Sequence, residues 1–106
     1  MNQIVTRALA QWGMAGAELE LIAARENEVF RVLQGDRSFA LRLHRQGYRT
    51  YEELVSELDW MDAASRGGIL VPAPVADRDG KFLHLIDGRQ VDVLTWLPGQ
   101  PLSTPG

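Results

Sequence analysis

The sequence predicts an α+β fold, a five-stranded antiparallel sheet with one covering helix, preceded by a short N-terminal helix. Three observations carry that expectation. Apolar residues recur at spacings of three and four in two stretches, one near the start of the chain and one at residues 50–66. Between and beyond them, short runs alternate apolar and polar side chains as half-buried strands do. The turns that separate these runs include Gly35-Asp36, Asp79-Gly80 and Asp87-Gly88, the residue chemistry of tight reversals.

From Asn2 to Trp12, the residues Ile4, Val5, Ala8, Leu9 and Trp12 fall at helical spacing, and Gly13 is the expected stop. Ala17 to Ala24 then reads as a strand with Leu19 and Leu21 on one side and Glu20 and Ile22 on the other. Val29 to Leu33 and Phe39 to Leu43 alternate likewise, and the polar link Gln34-Gly35-Asp36-Arg37 pairs them as a hairpin. Thr50-Tyr51-Glu52-Glu53 has the form of a capping box, in which the Thr50 hydroxyl and the Glu53 carboxylate satisfy each other's backbone amides. Tyr51, Leu54, Val55, Leu58 and Met61 make the buried stripe of the helix that follows, and Gly67-Gly68 supplies the left-handed residue that ends it. Val71-Pro72-Ala73-Pro74 must be extended, because a residue before proline avoids helical angles. A turn at Asp77-Arg78-Asp79-Gly80 leads to a strand over Phe82 to Ile86, and Asp87-Gly88 leads to the last one, Val91 to Trp96.

At 106 residues with 45% hydrophobic and 24% charged composition, the chain holds one compact domain, and a complete two-lobed enzyme does not fit. Fourteen acidic against 11 basic residues exert no pull on phosphate backbones or anionic membranes, so neither nucleic acid nor membrane is the expected partner. The absence of cysteine removes disulfide scaffolds, thiolate metal sites and thiol nucleophiles. No apolar run approaches a membrane span, and the first residues lack the order of a signal peptide, so a cytoplasmic location is expected. The tail, residues 98–106, is rich in proline and reads as a linker that follows a domain of residues 1–97.

Few residues in this frame can carry chemistry. Arg42 stands alone among apolar neighbours in Ala40-Leu41-Arg42-Leu43, on the same face as Ala40, and that face holds an anion or a buried partner. Glu57, at the margin of the second helix's buried stripe, is the carboxylate best placed to meet it. Such a pair would fix the guanidinium and leave donors free for a phosphate oxygen, or it is an ordinary solvated pair. Arg25-Glu26-Asn27-Glu28 is a turn without glycine whose amides and Asn27 side chain can cap a phosphate, or it merely reverses the chain. The break at Leu94-Thr95-Trp96-Leu97-Pro98-Gly99 frees backbone groups that can read a flat heterocycle or simply meet water. Asp77-Arg78-Asp79-Gly80 looks like a metal-binding run but is explained by its turn, and His44 and His84 read as ordinary strand histidines.

Taken in order, Glu26-Asn27-Glu28-Val29-Phe30-Arg31-Val32, Ala40-Leu41-Arg42-Leu43-His44-Arg45-Gln46-Gly47-Tyr48-Arg49, Ser56-Glu57-Leu58-Asp59-Trp60-Met61, Val71-Pro72-Ala73-Pro74 and Trp96-Leu97-Pro98-Gly99 resemble the amino-terminal lobe of protein-kinase-like phosphotransferases. The resemblance is to the aminoglycoside phosphotransferase family with its choline kinase and homoserine kinase relatives, and it covers nearly the whole chain. It implies a nucleotide-binding lobe whose parent moves the γ-phosphate of ATP or GTP to a hydroxyl of a small molecule or a protein. Arg42 would stand where these kinases carry a lysine on the α and β phosphates, with Glu57 orienting it and Ala40 under the adenine. Glu26 and Asn27 would lie over the phosphates, Leu94 at the back of the adenine pocket, and the Thr95 carbonyl and Leu97 amide at the adenine edge.

The family's His-Gly-Asp catalytic loop and its later magnesium aspartate belong to a carboxyl-terminal lobe and are missing from residues 1–106. The resemblance therefore implies no catalytic and no metal-binding residue in this chain, with Mg2+ and the hydroxyl acceptor held by the absent lobe. The rival expectation is a non-catalytic domain that pairs with another chain. Under either one, an apolar floor near Trp96 and Leu97 would make a homo-oligomer a natural partner.

Overall fold

Alternating apolar and polar residues produce five strands, all antiparallel, in a computed structural model that describes residues 3–24 and 27–97. The elements are α1 (Gln3–Gln11), β1 (Glu18–Ala24), β2 (Asn27–Gln34), β3 (Arg37–His44), α2 (Tyr51–Arg66), β4 (Leu83–Ile86) and β5 (Arg89–Thr95). Their spatial order is β1-β2-β3-β5-β4. The long connection through α2 lets the chain cross the sheet, so that β5 returns beside β3 and β4 becomes the edge.

Directly paired residues of antiparallel strands point to the same face, and here the two faces have different occupants. Val32, Phe39, Leu41, Leu43, Val91 and Val93 pack against Val5, Ala8, Leu9 and Trp12 of the α1 segment. Val29, Ala40, Leu83 and Leu94 pack on the opposite face against Leu54, Leu58 and Met61 of α2. The N-terminal helix thus covers the far side of the sheet. Its dock is partly polar: Trp12 Nε1 donates to the Val75 carbonyl at 2.7 Å, and the Gln11 amide donates to the carboxylates of Asp77 and Asp79.

Helix α2 begins as its sequence requires. The Glu53 amide donates to Thr50 Oγ1 at 3.1 Å and the Thr50 amide to Glu53 Oε1 at 2.8 Å, closing the capping box. It ends at Gly67, and Gly68 at φ +93° supplies the left-handed turn that other residues resist. The proline-bounded segment after it is extended and covers the edge of β5 beyond the reach of β4. Val75 donates its amide to the Val93 carbonyl at 2.8 Å, and Thr95 donates to the Ala73 carbonyl at 2.9 Å.

Several details depart from expectation. Asn27 and Glu28 are strand residues rather than turn residues, paired with His44 and Leu43. Glu26 lies outside the described residues, as do Asn2 and the tail 98–106. Leu21 pairs with Phe30 on the same face as Leu19 but is 55% exposed, and the register shifts just after it, between Leu21 and Ala23. Trp12 falls just past α1, and Tyr51 is exposed at the first turn of α2 instead of joining the buried stripe. β4 begins one residue later than expected and ends at Ile86 as expected, and β5 begins two residues and ends one residue earlier than expected.

Because Leu58 is fully buried between α2 and the sheet while Trp60 is exposed, the two should respond differently to truncation. Leu58→Ala is expected to lower the unfolding free energy by about 2–5 kcal/mol. Trp60→Ala should change it by about 0.5 kcal/mol or less. Urea denaturation read by circular dichroism measures both, and equal losses would contradict the face assigned to α2.

Candidate functional site

The register of β3 and β5 determines what Arg42 meets. Arg42 sits directly opposite Asp92, on the face covered by α2, two pairs along from Ala40 and Leu94. Asp92 has no exposed surface, and its carboxylate takes the guanidinium in a fork: Nε to Oδ1 at 2.7 Å and Nη2 to Oδ2 at 3.0 Å. A third donor completes it, since His44 Nε2 lies 2.6 Å from Asp92 Oδ2. The carboxylate is ionised, so the geometry calls for the His44 tautomer with its proton on Nε2.

Glu57 reaches the same guanidinium from the helix, but at a longer range. Its Oε2 is 3.6 Å from Arg42 Nη1, while its Oε1 accepts from Arg49 Nη1 at 2.7 Å. Arg49, just before α2, also reaches the Glu53 carbonyl. The cluster is therefore two arginines and two carboxylates braced by one histidine. Burial alone would push the Asp92 carboxyl up, yet the Arg42 charge and the hydrogen bonds from His44 and Arg42 hold it below the ordinary carboxylate value. Burial likewise works against the Arg42 charge, and Asp92 and then Glu57 outweigh it, so the guanidinium is a more persistent cation than a free one.

The expected site residues divide as follows. Arg42 and Glu57 come together, and Ala40 and Leu94 face each other beside them in an apolar floor with Val29. Asn27 opens β2 opposite His44, where it lines a hollow of about 70 Å³ with Tyr48 and Arg49. Thr95 is the last residue of β5; its amide and hydroxyl are both engaged by Ala73, and Leu97 is half-buried beyond it. Between them, Trp96 is stacked under the Arg31 guanidinium at 4.7 Å, and Arg31 Nε is buried with no hydrogen-bond partner among the described residues. Glu26 is outside the described residues.

Asp92 and Arg49 escaped the sequence reading, and His44 was read as ordinary. A signal for Asp92 existed. A lone carboxylate between valines in Val91-Asp92-Val93 mirrors the lone arginine in Leu41-Arg42-Leu43. What the sequence does not show is that these two strands are neighbours. Asp77, in contrast, behaves as its turn predicts: Oδ1 accepts from the amides of Asp79 and Lys81, and Oδ2 meets Gln11 and His84 Nδ1. Asp79 and His84 stand close enough to share a cation with it, but these four donors already occupy the Asp77 oxygens.

Comparison with known proteins gives a consistent picture. A model of the phosphotransferase enzyme family matches residues 18–106. The solved structure of a microcompartment-associated aminopropanol kinase is 34% identical and superposes with a TM-score of 0.81, over 92% of this chain and 32% of that one. Amicoumacin kinase of Bacillus subtilis is 24% identical over 85 residues, which are 80% of this chain and 25% of the relative. A spectinomycin phosphotransferase, solved with ADP and spectinomycin, shares the fold at 13% identity and a TM-score of 0.64, over 92% of this chain and 30% of that one. The chain spans about a third or less of each of these proteins.

The charge cluster and the Asp77 turn make stability depend on acid. Burial raises the Asp77 carboxyl, but the Lys81 amide first, then Gln11 and Asp79, carry it below its ordinary value. Asp77 and Asp92 both ionise more readily in the folded chain, so their contribution is complete above the ordinary carboxylate value near ~4 and is lost as pH falls through the lower folded values. The thermal midpoint is expected to drop steeply below about pH 4. Asp77→Asn should cost about 1–3 kcal/mol at pH 7 and flatten that acid limb, since one of the titrating groups is gone. An unchanged acid limb in this variant would remove Asp77 from the linkage.

Proposed function

Because the chain belongs to the phosphotransferase enzyme family, we propose that it is the nucleotide-binding amino-terminal lobe of a kinase, one that transfers the γ-phosphate of ATP or GTP to a hydroxyl acceptor. The observation that carries this reading is the state of Arg42. Its Nε and Nη2 are committed to Asp92 within the sheet, while Nη1 comes no closer than 3.6 Å to a carboxylate, that of Glu57, among the described residues. Beside that end lies the apolar floor of Val29, Ala40 and Leu94. These three are buried among Leu54, Leu58 and Met61 of α2, and a fixed cation at the margin of such an apolar cluster suits a polyphosphate joined to a heterocyclic base.

In this reading Arg42 donates to the α and β phosphates, and Glu57 supports its cleft side. Asn27, together with Glu26, caps the phosphates. Ala40 and Leu94 pack on the adenine, and the Thr95 carbonyl and Leu97 amide meet its edge. The fit is supported by the unspent donors of Arg42, since a guanidinium carries five and Asp92 takes two of them. When bound, the nucleotide supplies the phosphoryl group, and Mg2+ spreads its charge. Asp92 and Glu57 are both engaged by arginine, so Mg2+ is assigned to residues outside this lobe, together with the base that activates the acceptor. Residues 1–97 would form the lobe and 98–106 the linker.

The acceptor is a small molecule carrying a hydroxyl, in keeping with relatives named as aminopropanol and amicoumacin kinases. The test is titration of the full-length protein with ATP and GTP, followed by Arg42→Ala. Turnover in that variant is expected to fall about 10²–10³-fold, the usual effect of removing one preorganised donor to transferring charge. Near-normal turnover would take Arg42 out of the mechanism. A wild-type protein that binds neither nucleotide would favour a non-catalytic interaction domain instead.

A further inference from the structure

We infer that Asp92 is a positioning residue for nucleotide binding, acting through Arg42. The inference rests on the nucleotide-lobe reading above and assigns the orienting carboxylate within that site. Two carboxylates touch Arg42, and they differ in every property that matters for orientation. Asp92 is wholly buried, belongs to an interior strand, and holds one edge of the guanidinium through two hydrogen bonds of 2.7 and 3.0 Å. Glu57 is about a third exposed, 3.6 Å away, and closer to Arg49 than to Arg42. A bidentate fork fixes both the plane and the direction of a guanidinium, whereas a single long contact fixes neither.

The direction it fixes is the useful one. With Nε and Nη2 turned toward Asp92, Nη1 is directed away from β5 and toward the α2 side, where Glu57 stands at its margin. His44 completes the arrangement by holding Asp92 Oδ2 at 2.6 Å, so the carboxylate cannot rotate without losing that bond too. Every hydrogen bond of the Asp92 carboxylate among the described residues goes to Arg42 or His44.

Charge alone would not make this site attractive to phosphate. Arg42 and Arg49 are balanced by Asp92 and Glu57, so the cluster offers an oriented pair of N–H donors more than a positive field. Orientation therefore becomes the property on which binding depends. It also accounts for the residue type at position 42. A lysine has a point charge on a flexible stem and cannot hold Asp92 by a fork while presenting a separate planar edge to a ligand.

The experiment uses the full-length protein and ADP with Mg2+ as the probe, with affinity read by calorimetry at a temperature where circular dichroism shows each variant folded. Asp92→Asn is expected to weaken ADP binding about tenfold or more, the equivalent of one lost charge-assisted hydrogen bond. It should raise the nucleotide KM while leaving the acceptor KM unchanged. In an Arg42→Ala background the same change should have no further effect on ADP affinity. Additive losses in the two backgrounds would overturn the inference, because they would mean that Asp92 acts without Arg42.

Arg42→Lys keeps the charge and provides a second test if Asp92→Asn does not fold. It should lose nearly as much ADP affinity as Arg42→Ala, and retention within twofold of wild type would show that the fork does not position the cation. Wild-type protein that fails to bind ADP would overturn the nucleotide-lobe reading itself and the inference with it. Wild-type binding with Asp92→Asn unimpaired would overturn the inference alone.

Discussion

A charge pair buried between the two central strands organises this molecule. Removing a carboxylate and a guanidinium from water costs several kcal/mol per ion in a real protein, on the order of what one good core residue contributes. The cost is tolerable here because the geometry is bidentate and a histidine occupies the remaining carboxylate direction. It also demands a particular fold. Arg42 and Asp92 stand opposite each other only if β3 and β5 are adjacent and in one register, and a slip of a single residue would send each side chain to the wrong face. The pair thus penalises alternative pairings of two strands that are otherwise rich in leucine and valine.

The sheet order follows from where the helices go. The crossing through α2 occupies one face, and β5 can then return alongside β3, leaving β4 as a short edge strand. The face under α2 is apolar at Ala40, Leu94 and Leu83 and charged at Arg42 and Asp92, whereas the face under α1 is apolar throughout its centre. One face is purely apolar at its centre, and the other also holds the charge cluster. The α1 dock, with its Trp12 and Gln11 hydrogen bonds to residues 75–79, secures the segment that also covers the end of β5. Packing on the far face therefore reaches Thr95 through the Ala73–Val75 segment.

Most of this architecture is legible in the residues. Alternation marks all five strands, Thr50 and Glu53 mark the start of α2, and paired glycines mark its end, because each is a local preference that tertiary structure here reinforces. Arg42 is legible for the same reason, as a charge at a position whose neighbours are buried. The partner of Arg42 is not legible, because it depends on which strand returns beside β3. Glu57 was the better guess from spacing, since a helix carboxylate at the margin of a buried stripe looks available and a strand carboxylate between valines looks misplaced. Leu21 shows the opposite failure: alternation gives its face, shared with Leu19, but neither its exposure on the edge strand β1 nor the register shift that follows between Leu21 and Ala23 leaves a mark in the sequence.

On the proposed reading, the arrangement separates holding a ligand from choosing one. The donors of Arg42 are set by a buried carboxylate and the floor by Val29, Ala40 and Leu94, and all of these belong to the packed sheet. A site built this way can bind the part of a substrate that stays the same and has little to say about the part that differs. On the proposed reading, that constant part is the nucleotide. Selection of the acceptor then falls to residues outside the sheet. The core of this lobe is left free to be rigid, which is what a preorganised electrostatic site requires.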